Sequence, residues 1–128
     1  MRTRENRQGV AIVEFALTMA LLLIPIMAGV WDVSNFIDIN QILTRAAREG
    51  VVMASRGDDP TQTVLDYAEA AGLMTENITV TVTEGEEQPG LGQEVKLVLN
   101  YNLDGYTVLP WENIMPNEIN STAYAMME

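Results

Sequence analysis

An apolar run dominates the first third of the chain and extends from Val10 to Trp31 with one charged residue, Glu14. The run has 22 residues, and a helix of that length spans about 33 Å, close to a hydrocarbon core of roughly 30 Å. Pro25 lacks a backbone donor, so we expect a helix kink or local loosening near residues 21–25. The pattern therefore predicts a transmembrane helix that carries one costly carboxylate.

Charged residues flank this run unevenly and predict its orientation. Arg2, Arg4 and Arg7 precede the run, whereas Asp32 follows it. Because positively charged flanks tend to stay in the cytoplasm, we expect a cytoplasmic N-terminus and an exported remainder. Trp31 fits the aromatic position at the far membrane interface.

The apolar pattern continues beyond the run as a stripe with helical spacing. Its members recur at steps of three and four residues: Phe36, Ile39, Leu43, Ala46 or Ala47, Gly50 and Met53. Charged residues such as Arg45 and Glu49 fall on other faces. This spacing predicts one long helix over about residues 10–56, with its first half in lipid and its second half amphipathic. We expect the stripe to pack on the chain's own sheet, with a partner helix as the alternative.

A second, shorter helix is predicted after a turn at residues 57–59. Asp59 is a favourable N-cap and Pro60 suits the first helical position. Gln62 stands where a capping box places its second member. The predicted apolar face consists of Val64, Leu65, Ala68 and Ala71. Gly72 suits a C-terminal stop, because glycine adopts the left-handed conformation found there.

Alternating residues predict strands in the second half of the chain. In residues 78–83 the inward positions are Ile78, Val80 and Val82, and threonines occupy the others. A turn-rich acidic stretch over residues 84–92 contains Pro89-Gly90, and Asp104-Gly105 is a tight-turn signal. Further strands are predicted over residues 94–103, 106–109 and 119–127, with a loop that holds Trp111 before the last of them. Helices followed by strands predict an α+β fold, in which a small antiparallel sheet of three to four strands packs on the long helix.

Composition narrows the range of functions. The net charge is −11, and the part from Asp32 onward is the acidic one. Such a surface repels nucleic acid, which is bound through cationic contacts to phosphates. The chain has no cysteine and no histidine, so thiolate metal sites and the commonest general base are absent. We therefore expect no catalysis, no cofactor and no small-molecule substrate.

Two groups of carboxylates are candidates for metal sites. Asp58 and Asp59 precede the second helix, where capping is the commoner role, and no ligand series of EF-hand type follows them. Glu84, Glu86 and Glu87 cluster in a turn-rich stretch that is typical of a solvated loop. We expect no metal at either group.

Three interpretations compete for the apolar run. A secretory signal would have a shorter uncharged stretch followed by an A-x-A-like cleavage site, to which Ile26-Met27-Ala28 is a poor match. A plain uncleaved anchor would leave Glu14 unexplained. In a prepilin-type signal, a peptidase cuts on the cytoplasmic side, before the run, and the run remains as a helix.

The prepilin-type interpretation provides Glu14 with a partner. Cleavage after Gly9 would give Val10 a free α-amino group, and Val10 and Glu14 are neighbours one helical turn apart. In a filament, the carboxylate could pair with the Val10 amine of a neighbouring subunit. Such a buried pair sets register more than it adds stability, and losing one partner leaves a costly lone charge.

The motif of Gly9, Glu14 and Phe15 before a continuing apolar run resembles the processing site of type IV pilin-like proteins. The Glu-Phe pair resembles the Flp subclass, which the tight-adherence (Tad) machinery assembles. The segments at 13–17 and 21–25, and Ala46-Ala47-Arg48-Glu49-Gly50 beyond the span, are similar to the TadE-like group of minor pseudopilins. This resemblance also implies a type IV pilin-like arrangement of the α+β fold.

The resemblance implies a role for each segment and motif residue. Residues 1–9 would be the prepilin leader, 10–31 the transmembrane and assembly helix, and 32–128 the exported domain. Gly9 would precede the scissile bond and Val10 would begin the mature chain, with Glu14 as the assembly carboxylate and Phe15 beside it. The expected partners are other pilin subunits and a prepilin peptidase. The expected location is the bacterial inner membrane, then the pilus at the cell surface.

Overall fold

The computed structural model describes residues 3–88, 92–110, 114 and 116–127, leaving out the side chains of residues 3–6 and 86–88. Its elements, in chain order, are helix α1 (Thr3–Ser55), helix α2 (Pro60–Ala70), a 3-10 turn (Thr75–Asn77), and strands β1 (Ile78–Gln88), β2 (Gly92–Asn102) and β3 (Glu118–Met126). The three strands form one antiparallel sheet in the order β1-β2-β3. The predicted α+β class, with one long helix, one short helix and a small antiparallel sheet, is confirmed.

The buried face of β2 forms the centre of the core. Its alternating residues Val95, Leu97, Leu99 and Tyr101 are almost completely buried, because successive side chains in a strand point to opposite faces. On the neighbouring strands, Leu99 pairs with Val80 of β1 and with Ser121 of β3. The strand that the alternating pattern predicts over residues 94–103 is therefore confirmed.

The second half of α1 covers this face of the sheet. Ile39, Leu43, Ala46 and Ala47 are buried in the same cluster as three of the β2 residues, Leu97, Leu99 and Tyr101. Gly50 lies where α1 approaches both α2 and β2, and a Cβ built at this position would lie 2.6 Å from Val64 Cγ2. The amphipathic half of the predicted helix therefore packs on the chain's own sheet, and α1 ends at Ser55, one residue before the predicted end.

Helix α2 begins and ends as the sequence predicts, but it lacks the capping box. Asp59 is the N-cap, and its carboxylate accepts a hydrogen bond from the Thr61 N–H at 3.0 Å. The Gln62 side chain instead donates to Asp66 at 2.7 Å, one turn further along the exposed face. At the C-terminus, Gly72 has a positive φ of 88° and its N–H donates to the Glu69 carbonyl. This is the left-handed glycine stop that ends many helices. On the predicted apolar face, Val64 and Ala68 are buried, whereas Ala71 is exposed.

Strand β1 is longer than predicted and faces the core less completely. The acidic stretch predicted as a turn continues as strand to Gln88, because a bulge between Glu84 and Glu87 absorbs the irregular register. Val82 lies on the predicted inward face but is 40% exposed. It lies in an edge strand, and α1 packs over β2 and β3 instead. The predicted turn at Pro89-Gly90 lies outside the described residues.

The predicted strand at residues 106–109 is wrong. After the turn at Gly105, which has a positive φ of 83°, the chain forms a loop rather than a fourth strand. The N–H groups of Val108 and Leu109, which a strand would use for pairing, donate to the carboxylate of Asp32 instead. Trp111 of the same connection lies outside the described residues, and the last predicted strand is confirmed as β3.

Candidate assembly and membrane site

The first half of α1 presents a long apolar surface that the rest of the chain does not cover. From Val10 to Met27 every residue is exposed, and Val30 and Trp31 are exposed as well. Within the described residues, α1 is the one helix long and apolar enough to cross a membrane by length and composition. Because soluble domains rarely expose large apolar patches without a partner, this surface needs lipid or other protein around it.

The predicted processing and assembly residues lie together at the start of this surface. Gly9, Val10, Val13, Glu14, Leu17 and Thr18 line one shallow groove along α1. The groove runs over two helical turns, and Val10 and Glu14 occupy successive turns of the same face. The Thr18 hydroxyl donates to the Glu14 backbone carbonyl at 2.8 Å, which satisfies that hydroxyl within the apolar run. The Glu14 side chain itself is exposed.

Two further predicted residues belong to the same helix. Phe15 follows Glu14 and is 64% exposed, so it contributes to the uncovered surface rather than to the core. Pro25 lies inside α1, which is helical on both sides of it. The helix also continues through both predicted segment boundaries, at residues 9–10 and 31–32, without interruption. The kink at Pro25 and the roles of Gly9, Val10, Glu14 and Phe15 stay predictions.

A second feature, which sequence reasoning missed, lies at the other end of the apolar run. Asp32 is only 2% exposed, and its two carboxylate oxygens accept the backbone N–H groups of Val108 and Leu109 at 2.9 and 3.0 Å. A carboxylate that accepts two backbone N–H groups forms charge-assisted hydrogen bonds, which are stronger than neutral ones. Asp32 therefore ties the β2–β3 loop to α1 at the end of the candidate membrane span.

A sequence signal for this role exists in the helical stripe. Asp32 lies four residues before Phe36 and seven before Ile39, so it continues the buried face of α1 toward the candidate membrane span. A charged residue at a position of a buried stripe needs a partner, because an uncompensated buried charge is costly. The sequence thus indicates that Asp32 is bonded, although it does not identify the bonding groups 76 and 77 residues away.

A small cavity of about 150 Å³ lies beside this junction, between α1 and the loop. Its lining includes Asp32, Asn35, Phe36, Tyr106 and Asn117. The volume is below the range of about 300–1,000 Å³ that is typical of ligand pockets. The cavity therefore belongs to the packing of the loop on the helix.

Tyr106 connects this junction to the core. Its ring packs edge-on against the ring of Tyr101, with centroids 5.9 Å apart. The Tyr101 hydroxyl is buried, and among the described residues it has no hydrogen bond of good geometry. Burial, with Tyr106 beside it, raises the pKa of Tyr101 to about 12. The neutral phenol is therefore the form that the folded domain favours.

The acidic residues do not form a metal centre in the part of the chain that is described. That part contains no group of three or more histidine, cysteine, aspartate or glutamate side chains placed to hold a metal ion. Asp59 caps α2, and the hydrogen bond from Thr61 lowers the pKa of its carboxyl group. In the acidic stretch that contains Glu84, Glu86 and Glu87, the Glu84 carboxylate accepts a long hydrogen bond of 3.4 Å from the Gln93 side chain.

Comparison with known proteins finds a family similarity in the N-terminal helix. Residues 9–51 match the family model described as TadE-like protein. The matched residues include the apolar surface, Asp32 and most of the buried stripe. A search of curated proteins and a search of solved structures found no match. The matched region begins at Gly9 and stops before α2 and the sheet. Residues 9–51 are therefore similar to the TadE-like family, which confirms the resemblance that the sequence motifs indicate.

Proposed function

We propose that this protein is a minor pilin, or pseudopilin, of a Flp/Tad adhesion pilus. In this proposal it resides in the inner membrane through α1, is cleaved after Gly9 by a prepilin peptidase, and is built into or onto the end of the filament. The observation that supports it best is the uncovered apolar surface from Val10 to Trp31 on a TadE-like helix. Lipid covers such a surface before assembly, and neighbouring pilin helices cover it afterwards.

The carboxylate of Glu14 favours assembly through this surface, because it is costly in lipid and is paired in the filament. In lipid, a carboxylate at the bilayer centre costs about 2.5–3.5 kcal/mol on translocon scales and less near the edge. Cleavage creates the Val10 amine one turn away on the same groove. An amine from a neighbouring subunit satisfies the carboxylate in the filament, and this pairing sets the axial register of the subunits. Phe15, exposed beside Glu14, adds apolar contact area to the same helix interface.

The protein acts in this proposal as a substrate and a building block, not as a catalyst. Its partners are the prepilin peptidase and other pilin subunits, and its N-terminus faces the cytoplasm while the α+β domain is exported. The alternative is an uncleaved single-pass protein that presents the α+β domain to a periplasmic partner. The buried stripe of α1 supports both, because it joins the domain rigidly to the span.

Intact mass and N-terminal sequencing of the protein from its native membrane test the proposal. A chain that starts at Val10 supports prepilin-type processing. A start at Met1 supports the uncleaved alternative, and a start near Gly29 would mean a secreted domain, which would end the assembly proposal.

The variant Gly9→Leu sharpens this test. A Cβ at Gly9 meets no atom within 4 Å, so the substitution leaves the subunit's own fold intact. We expect the bulky side chain to block cleavage and to leave a full-length chain. Val13→Leu, an apolar exchange four residues later in the same groove, is the matched control and should be cleaved normally. A mature-sized product from Gly9→Leu would point to a different protease.

A further inference from the structure

The loop that follows β2 carries an exposed apolar side chain at the base of the exported domain. Val108 is 67% exposed, although its N–H is held by Asp32. Ile114, in the same connection between β2 and β3, is 76% exposed. The backbone of the loop is thus fixed to α1 while the Val108 side chain points away from the core.

The position of Asp32 places this loop at a defined depth. The 22 residues from Val10 to Trp31 span about 33 Å, slightly more than the hydrocarbon core of about 30 Å. The interfacial layer adds roughly 5–7 Å on each side of that core. Asp32 is the next residue and therefore lies in the interfacial layer when α1 spans the membrane. Since the Val108 N–H is 2.9 Å from its carboxylate, the Val108 backbone lies in the same layer.

We propose that the loop around Val108 is a membrane-docking segment that inserts its apolar side chain into the outer interface of the bilayer. This inference rests on the proposed residence of α1 in the membrane. It adds an exposed apolar side chain of the exported domain beside the end of the apolar run of α1, to which the Asp32 bond holds it. The domain then has two contacts with the membrane, the helix and the loop, and its tilt is fixed before assembly.

The charges around the loop indicate which type of lipid headgroup it can approach. Residues 103–110 contain Asp104 and no basic residue, and the whole exported part is acidic. Anionic lipid attracts basic segments and repels a surface of this kind. The insertion is therefore driven by apolar burial, and a zwitterionic phospholipid surface is its partner. We expect its extent to be the same at low and high salt.

Because the chain has no cysteine, single-cysteine variants of the full chain test this directly. The variant Val108→Cys is labelled with an environment-sensitive fluorophore and placed in phosphatidylcholine vesicles. Lipids that carry quenchers at shallow or deep positions then report the depth of the fluorophore. Val82→Cys is the matched control, since Val82 is another exposed valine. It pairs with Leu97 in the middle of β2, whereas the loop follows the end of that strand. Leu21→Cys, in the middle of the apolar run, reports insertion of α1 itself.

We expect shallow quenching at position 108, deep quenching at 21 and aqueous behaviour at 82. An aqueous probe at 108 beside a lipid-embedded probe at 21 would overturn the docking loop and leave the membrane helix in place. Aqueous probes at both positions would remove both proposals. A probe at 108 that is shielded only in assembled filaments would assign the loop to a neighbouring subunit and overturn the lipid assignment.

Asp32→Ala in the Val108→Cys background tests the anchor separately. We expect the shallow quenching to fall at least twofold, because the loop is then free to leave the interface. Asp38→Ala, an exposed acidic residue on the same helix, should leave the quenching unchanged. Unchanged quenching in the Asp32 variant would show that Asp32 does not position the loop.

Discussion

The carboxylate of Asp32 accepts the backbone N–H of Val108 at 2.9 Å, across 76 residues of sequence. With the second bond, from Leu109, it joins the end of the apolar helix surface to the loop that connects β2 to β3. The α+β domain is therefore held to the candidate membrane span at two places, through the buried stripe of α1 and through this carboxylate. Loss of the carboxylate should loosen the loop without unfolding the sheet.

Asp32→Ala tests this relationship. The substitution leaves two partly buried N–H groups without their charged acceptor, and we expect a loss of about 1–3 kcal/mol in the free energy that holds the loop closed. Hydrogen exchange followed by mass spectrometry of the full chain in detergent micelles should show faster exchange in peptides around residues 106–110. Peptides from β2 should keep their protection. Equal acceleration in the control Asp38→Ala would show that the effect does not depend on the bonded carboxylate.

Gly50→Ala is predicted to destabilise the domain even though alanine favours helices. The new Cβ would lie 2.6 Å from Val64 Cγ2 and 2.8 Å from Leu97 Cδ2. Overpacking of this kind costs about 1–3 kcal/mol, which outweighs a propensity gain of at most about 1 kcal/mol. Chemical unfolding of the full chain in micelles measures the difference. The exposed neighbour Glu49→Ala should change stability by less than about 0.5 kcal/mol.

A double mutant identifies the cause of this loss. If contact with Val64 is responsible, Gly50→Ala should cost less in a Val64→Ala background than in the natural chain, because the space has been opened. A Gly50→Ala chain as stable as the parent would show that α1 and α2 can separate freely at this position.

The stability of the domain should fall as the pH rises from about 10 to about 12. Burial raises the pKa of Tyr101 from 10.0 to about 12 in the folded state. In that window the unfolded state releases the proton that the folded state keeps, so the stabilisation present below pH 10 is lost as the pH rises. The full effect of such a shift is up to about 3 kcal/mol.

Unfolding of the natural chain and of Tyr101→Phe at pH 9, 10, 11 and 12 separates this residue from the other tyrosines. We expect Tyr101→Phe to lose much less stability over the window, since the shifted phenol is gone. Tyr124→Phe, which alters an exposed tyrosine on β3, should keep the alkaline loss. Parallel pH curves for the natural chain and Tyr101→Phe would assign the effect to other groups.

Periodic patterns in the sequence predicted most of the fold. The stripe from Phe36 to Met53 and the alternation around Leu97 and Leu99 identified the helix and the central strand, because burial imposes a period of 3.6 or 2 on side chains. Local capping chemistry identified both ends of α2, through Asp59 and Gly72. These features depend on residues that are close together in the sequence.

One prediction failed because of a partner that is distant in the sequence, and another because of a competing side chain one helical turn away. Residues 106–109 alternate like a strand, but their N–H groups are taken by a carboxylate on α1. Gln62 suits a capping box, but Asp66 competes for its side chain. For the candidate site, the motif around Gly9 and Glu14 was visible in the sequence, whereas the role of Asp32 required the folded chain.

Glu14→Ala is predicted to block assembly while leaving earlier steps intact. The substitution removes the charge from the apolar run, so membrane insertion should be as efficient or better. Cleavage after Gly9 should also continue, because the scissile bond lies more than one helical turn away. In the filament, however, the Val10 amine of a neighbouring subunit would be left without its carboxylate, and an unpaired buried charge is strongly destabilising. Immunoblots of sheared pili and of membranes measure the partition.

A second substitution separates charge from shape. Glu14→Gln keeps the size and hydrogen-bonding groups of the side chain but cannot neutralise an amine, so it should also be excluded from pili. Thr18→Ala is the control, because it removes a polar group one turn further along the same groove. Among the described residues, the Thr18 hydroxyl bonds only to the backbone of its own helix, so we expect this variant to assemble normally. Pili that carry Glu14→Ala at the level of the natural protein would refute the pairing. If Glu14→Gln alone assembled, the side chain would act as a hydrogen-bonding group and its charge would not be required.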